Sequence, residues 1–193
     1  IDAAIAVGAD TLMLPYFQTA AQVEKFLAYV GGRARTILLV ETPEAVDNLD
    51  EILALPGIDE CHIGLNDLHL GYGRKFLCDL LADGTVDAIP EPFKARGIRF
   101  AIGGIARPGR GTIPAECILA EHIRLGSQAV ILSRSFCNDI LFSDRPDREE
   151  IFVREVKRLR SAEAQLLREQ PTFFAENHRL LRSLVAMILE GKP

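Results

Sequence analysis

Five short apolar runs recur along this chain, and amphipathic stretches separate them: Asp10–Pro15, Thr36–Glu41, Glu60–Leu65, Ile98–Ile102 and Ala129–Ser133. No hairpin turn signal joins any neighbouring pair. Strands that return through a helix pair in parallel, and near-continuous apolar character implies burial on both faces. The pattern therefore predicts a parallel α/β sheet with helices outside it. A TIM (β/α)8 barrel is the expected architecture, and such barrels take about 250 residues. With 193 residues, the chain is expected to show about the last five βα units of eight. An open doubly wound sheet is the alternative that periodicity leaves.

The helices carry their own signals. Thr19 with Gln22 reads as a capping box, and Val23, Phe26, Leu27 and Val30 form an inner face. Gly31-Gly32 ends that helix. Thr42 caps the next, with Pro43 at its first position and Ala45 to Leu53 as one continuous helix up to Pro56-Gly57. Leu68 to Gly73 reads as a loop and Leu77 to Leu81 as a helical turn. Val86 to Arg96 reads as a helix interrupted near Pro90, and Gly103-Gly104 as the end of the fourth strand. Ala115 to Leu125 is a further helix. Residues 148–189 read as two long helices parted at Gln170-Pro171. Residues 1–147 are thus expected to form the barrel portion. Residues 148–193 are expected to form a helical extension, packing on the barrel or on a neighbouring subunit of a homo-oligomer. The chain opens on Ile1, and its first residues read as the last turns of a helix, so upstream sequence is expected.

Charge and composition narrow the partners. Net charge is −5, with 22 basic and 27 acidic residues and no basic run, which argues against nucleic acid. No apolar run reaches the ~18 residues of a membrane span, and no signal peptide is visible. Cys61, Cys78, Cys117 and Cys137 form no CxxC pair and read as reduced thiols of a cytoplasmic protein. No dinucleotide fingerprint is present, so NAD is not expected.

Glu41 and Asp67 each sit where an apolar run stops, 26 positions apart. Parallel α/β folds bind ligands beyond the carboxyl ends of their strands, so the two acids are placed to face one site. Hard oxygen donors of this kind suit Mg²⁺ or Mn²⁺. Taken singly, Glu41 also reads as an acid favoured by a helix N-terminus, and Asp67 as a turn cap. His69 is a weaker candidate and reads as a solvent-facing loop residue; His62 reads as a core histidine. Gly103, Gly104 and Arg134 stand after the fourth and fifth runs, where barrels often hold anions. The basic loop Arg107–Gly111 reads as solvated.

The segment Val40 to Leu53, Pro56-Gly57-Ile58-Asp59 and Ile63-Gly64-Leu65-Asn66-Asp67-Leu68 resembles the HpcH/HpaI aldolase / citrate lyase beta family. So does Gly8 to Pro15; the best match covers roughly residues 8–73. The resemblance implies a pyruvate/phosphoenolpyruvate-type TIM barrel in which Glu41 and Asp67 bind the metal. It implies that Gly64, Leu65 and Asn66 offer backbone N–H groups to a substrate carboxylate. The implied activity is a metal-dependent carbon–carbon lyase acting beside a 2-oxo acid such as pyruvate. An acyl-CoA lyase of the malyl or citramalyl type and a catalytically silent barrel are the alternatives. The family's substrate arginine and histidine–acid pair belong to earlier units, so the general base is expected upstream of Ile1. Two departures stand out: Leu65-Asn66 where aldolases commonly carry Pro-Ala, and Leu39 where they carry glutamine.

Overall fold

The computed structural model describes residues 1–191. Its elements alternate from the start: α1 (Asp2–Ala6), β1 (Thr11–Leu14), α2 (Ala20–Val30), β2 (Arg35–Val40), α3 (Pro43–Asp47), α4 (Leu49–Ile52) and β3 (Glu60–Ile63). Then come α5 (Leu65–Gly71), α6 (Asp79–Ala82), a 3-10 turn at Thr85–Asp87, α7 (Pro90–Ala95) and β4 (Arg99–Ile105). The chain continues through α8 (Ala115–Leu125), β5 (Ala129–Leu132), α9 (Arg134–Leu141), α10 (Arg148–Leu166) and α11 (Pro171–Leu189). The sheet order is β1-β2-β3-β4-β5, and β1 to β4 pair in parallel. A doubly wound sheet reverses its strand order at a switch point. This order never reverses, so the fold is a run of (β/α)8-barrel units followed by helices.

Burial corrects the expectation of strands covered on both faces. Cys61, His62 and Ile63 of β3 are all buried, as are Phe100 to Gly103 of β4. Strand β2 alternates instead, with Thr36, Leu38 and Val40 buried and Ile37 and Leu39 half-buried. The outer strands β1 and β5 bury no residue fully, and Met13 and Ile131 are exposed. An outer strand has one neighbour, so fewer side chains cover it.

The chain divides into two compact units, Ile1–Gly103 and Gly104 onward. In the first, Thr19 caps α2 with the expected box: its side chain accepts from the Gln22 N–H, and Gln22 Oε1 accepts from the Thr19 N–H at 3.1 Å. Gly31 ends the helix in the left-handed conformation. The stretch read as one helix after Thr42 is two, because Asn48 leaves helical geometry between α3 and α4. Its side-chain amide donates to the Gln18 carbonyl at 2.9 Å, which explains the break. Phe93 packs on Phe100 with ring centroids 5.7 Å apart.

The second unit has its own core of Ile105, Ala115, Leu119, Phe136 and Leu159. Helices α10 and α11 pack on α8 and α9 within this unit. Among the described residues, no helix is long and apolar enough to cross a membrane.

All four cysteines are free thiols. Burial pushes Cys61 up to about 12, with the Glu60 charge adding to it, and Cys117 up to about 11. Thiolate is the reactive form. A disulfide probe at pH 8 is therefore expected to label half-buried Cys137 first, and Cys61 and Cys117 only after unfolding. Rapid native labelling at Cys61, read by peptide mass, would contradict this burial.

Candidate functional site

The carboxylate of Glu41 is set by what surrounds the end of β2. Glu41 directly follows that strand and is only 5 % exposed. Next to it, Thr42 caps α3 by accepting the Ala45 N–H and donates its hydroxyl to the Phe17 carbonyl at 2.8 Å. The Glu41 side chain cannot follow into that helix and turns instead towards the chain after β1. There Oε1 accepts the Tyr16 N–H at 2.9 Å. Tyr16 has φ +57, a left-handed conformation that costs a non-glycine residue about 1–2 kcal/mol. The strain aims its amide at the carboxylate.

Asp67 corrects the sequence reading. It does not close a strand: β3 stops at Ile63, Gly64 is the N-cap, and Asp67 lies in the first turn of α5. The stretch expected as a loop from Leu68 is helix to Gly71. The half-buried Asp67 carboxyl still reaches Glu41, near enough to act on it both by charge and by a hydrogen bond. Burial raises the Glu41 carboxyl above the usual carboxylate range. The Tyr16 N–H opposes that shift, and Asp67 adds to it.

Glycines make this approach possible. A Cβ on Gly64 would lie 2.8 Å from Glu41 Cβ and 3.0 Å from its Oε2. One on Gly71 would lie 2.6 Å from Pro43 Cδ, and one on Gly103 would lie 2.8 Å from Leu65 Cδ1. Helix α5 thus seats flush against β2, α3 and β4. The N–H of Gly64 donates to the Val40 carbonyl at 2.9 Å, so sheet pairing occupies it. Of the three backbone donors expected for a substrate, Leu65 and Asn66 remain, in the turn where helix N–H groups lack internal acceptors.

His69 is a second correction. It is buried on α5, and its Nδ1–H donates to the Leu65 carbonyl at 3.2 Å. Its neighbour in the sequence reading, His62, is the core residue expected: Nε2–H donates to the Gly103 carbonyl at 3.0 Å, and burial lowers its pKa. Gly103 and Gly104 do not end β4; the strand runs on to Ile105, with Gly103 at φ +50.

In the second unit, Arg134 opens α9 and lines a cleft with Arg107, Arg110 and Ser135. Sequence reading had treated the arginine loop and Arg134 separately. Tyr16 was missed altogether, since nothing in Pro15-Tyr16-Phe17 announces a left-handed tyrosine.

Two neighbouring oxygen-donor carboxylates suit a hard divalent cation. Mg²⁺ commonly takes one or two protein carboxylates and keeps its waters. Among the described residues, no cluster of three or more His, Cys, Asp or Glu forms a larger metal site.

Residues 1–76 match the HpcH/HpaI aldolase/citrate lyase family. A hydroxypyruvate/pyruvate aldolase from Rhizorhabdus wittichii strain RW1 is 38% identical over 89 residues, covering 42% of this chain and 36% of that protein. The chain therefore spans about a third of that relative's length. The crystal structure of an HpcH/HpaI aldolase/citrate lyase family protein from Burkholderia cenocepacia J2315 shares the fold, with TM-score 0.54 and 17% identity. That match covers 67% of this chain and 60% of the other. The matched residues 1–76 hold both Glu41 and Asp67, so the likeness to the HpcH/HpaI aldolase/citrate lyase family covers the carboxylate site.

Proposed function

We propose that this chain serves a carbon–carbon lyase acting beside a 2-oxo acid such as pyruvate, with Glu41 and Asp67 holding Mg²⁺ or Mn²⁺. The observation that carries the reading is the buried Glu41 carboxylate, anchored by the left-handed Tyr16 amide, with Asp67 close enough to act on it. Two like charges at ~4 Å repel by about 4 kcal/mol near a protein surface. A cation held by Glu41 and Asp67 would offset that repulsion.

When bound, the cation supplies Lewis acidity that stabilises enolate charge on the oxo acid. The protein's own part is positional. The Tyr16 amide fixes one Glu41 oxygen, leaving the other, Oε2, on the side of Gly64. The absent side chain at Gly64 keeps backbone close to that oxygen. The amides of Leu65 and Asn66 are the donors left to orient a substrate carboxylate.

The test is Mn²⁺ binding followed by electron paramagnetic resonance, with pyruvate-aldol cleavage measured before and after chelation. One Mn²⁺ per chain is expected, and chelation should abolish cleavage until metal is restored. Cleavage that survives complete chelation would remove the metal from the proposal. Saturable metal binding without cleavage of any 2-oxo acid aldol would leave a binding role instead.

A further inference from the structure

We infer that the cleft between the Arg107–Gly111 loop and the start of α9 is a binding site for a phosphoryl group. The cleft has a volume of about 410 Å³ and is lined by Arg107, Arg110, Gly111, Arg134, Ser135 and Asn138. Three guanidinium groups line it, and no acidic side chain does among the described residues. The chain as a whole is acidic, at −5, so this convergence runs against its composition.

The loop wall is folded rather than solvated. Gly109 N–H donates to Glu116 Oε1 at 2.8 Å. Arg110 N–H donates to the Arg107 carbonyl at 2.9 Å, and Ala115 N–H to the Arg110 carbonyl at 3.0 Å. Gly111 turns at φ +102, and a Cβ there would lie 2.5 Å from the Ile113 carbonyl oxygen. These bonds hold Arg107 and Arg110 on one side of the cleft.

The opposite wall is the first turn of α9. Ser133 does not cap this helix; its hydroxyl bonds the Ser135 hydroxyl at 2.7 Å. The N–H groups of Arg134 and Ser135 therefore remain available beside the arginines. Asn138, one turn on, adds a side-chain amide. Guanidinium forks match phosphate oxygens in pairs, and a phosphoryl dianion offers three strong acceptors to these donors. In barrels, phosphate is frequently held by the loops after strands seven and eight and by a short extra helix. Here the arginine loop likewise follows one strand, β4, and α9 directly follows the next, β5.

The probes are inorganic phosphate and glycerol 3-phosphate, titrated calorimetrically into the full chain at fixed ionic strength, with glycerol as the blank. Saturable binding of at least one is expected. Arg110→Ala and Arg134→Ala should each weaken it about tenfold or more. Arg134→Lys should fall between wild type and alanine, since it keeps charge and loses the fork. Arg160→Ala removes an exposed arginine paired with Glu163 and should leave binding unchanged. Tighter binding of phosphate would assign a free anion, and tighter binding of glycerol 3-phosphate a phosphorylated small molecule; both uphold the site. No saturation by either probe at about 10 mM, where millimolar sites are largely filled, would overturn it. So would equal weakening in Arg160→Ala. The carboxylate pair plays no part in this inference, so cation binding and phosphate binding can fail separately.

Discussion

Replacing Glu41 with glutamine is expected to lower Mn²⁺ affinity more than about 100-fold, beyond the usual cost of losing a supporting partner of a metal ligand. The same variant should be no less stable than wild type without metal. Glutamine still accepts the Tyr16 N–H at its amide oxygen, and it no longer repels Asp67 from a buried position. The two effects have opposite signs, so misfolding cannot imitate them. At a Mn²⁺ concentration 100 times its dissociation constant, wild type should gain about 2.7 kcal/mol. For a chain of this size that is a rise of about 5–10 °C in melting temperature. Glu41→Gln should show none of it. Gly64→Ala supplies an independent check, because it alters no charge. Its Cβ would press on both Glu41 Cβ and Oε2. Affinity should fall about 10–100-fold, as when a supporting position around a metal is disturbed. Overpacking should also lower stability by about 1–3 kcal/mol. Unchanged Mn²⁺ affinity in both variants would remove Glu41 from the site.

How much of this was legible in the sequence depends on the range of the interactions. Thr19 with Gln22 and Thr42 with Pro43 mark helix starts through contacts spanning a few residues, and both starts stand where they were read. Parallel pairing followed from the alternation, but the strand order did not, since a doubly wound sheet alternates in the same way; the unreversed order settles it. Asp67 was placed near Glu41 for a partly wrong reason. The apolar pattern of Ile63 to Leu68 suits a strand end as well as a helix start, and only packing under Gly71 and Gly103 decides for helix. His69 was misread for the same reason: once α5 forms, its ring is carried inward. The Tyr16 conformation could not be read at all, because its cause is a carboxylate 25 residues away. Arg107 and Arg134 likewise come to line one cleft through tertiary structure, which no local pattern records.

Replacing Glu121 with leucine is expected to be the most destabilising single change in the second unit. Glu121 lies on α8, fully buried. Its carboxylate accepts from Asn177 Nδ2 at 2.9 Å, from His178 Nδ1–H at 3.0 Å and from Arg124 Nε at 2.7 Å. Asn177 also donates to the Cys117 carbonyl at 3.0 Å, so α11 is held to α8 by polar contacts in an otherwise apolar seam. A buried carboxylate is expensive to desolvate, and the complete set of donors is what makes this one tolerable. Leucine nearly matches the volume but removes the acceptor of Asn177, which keeps only the Cys117 carbonyl, and of the partly exposed His178. Removing one partner from such a set costs about 3–5 kcal/mol. That corresponds to a fall of about 6–20 °C in melting temperature. Glu121→Gln should cost less, because an amide oxygen still accepts from one donor while its NH2 faces the others. The order of stability should therefore be wild type, then glutamine, then leucine. Trypsin provides the local readout: cleavage after Arg168, between α10 and α11, should accelerate in the same order as α11 loosens. A leucine variant as stable and as resistant as wild type would show that apolar packing alone holds α11 on α8.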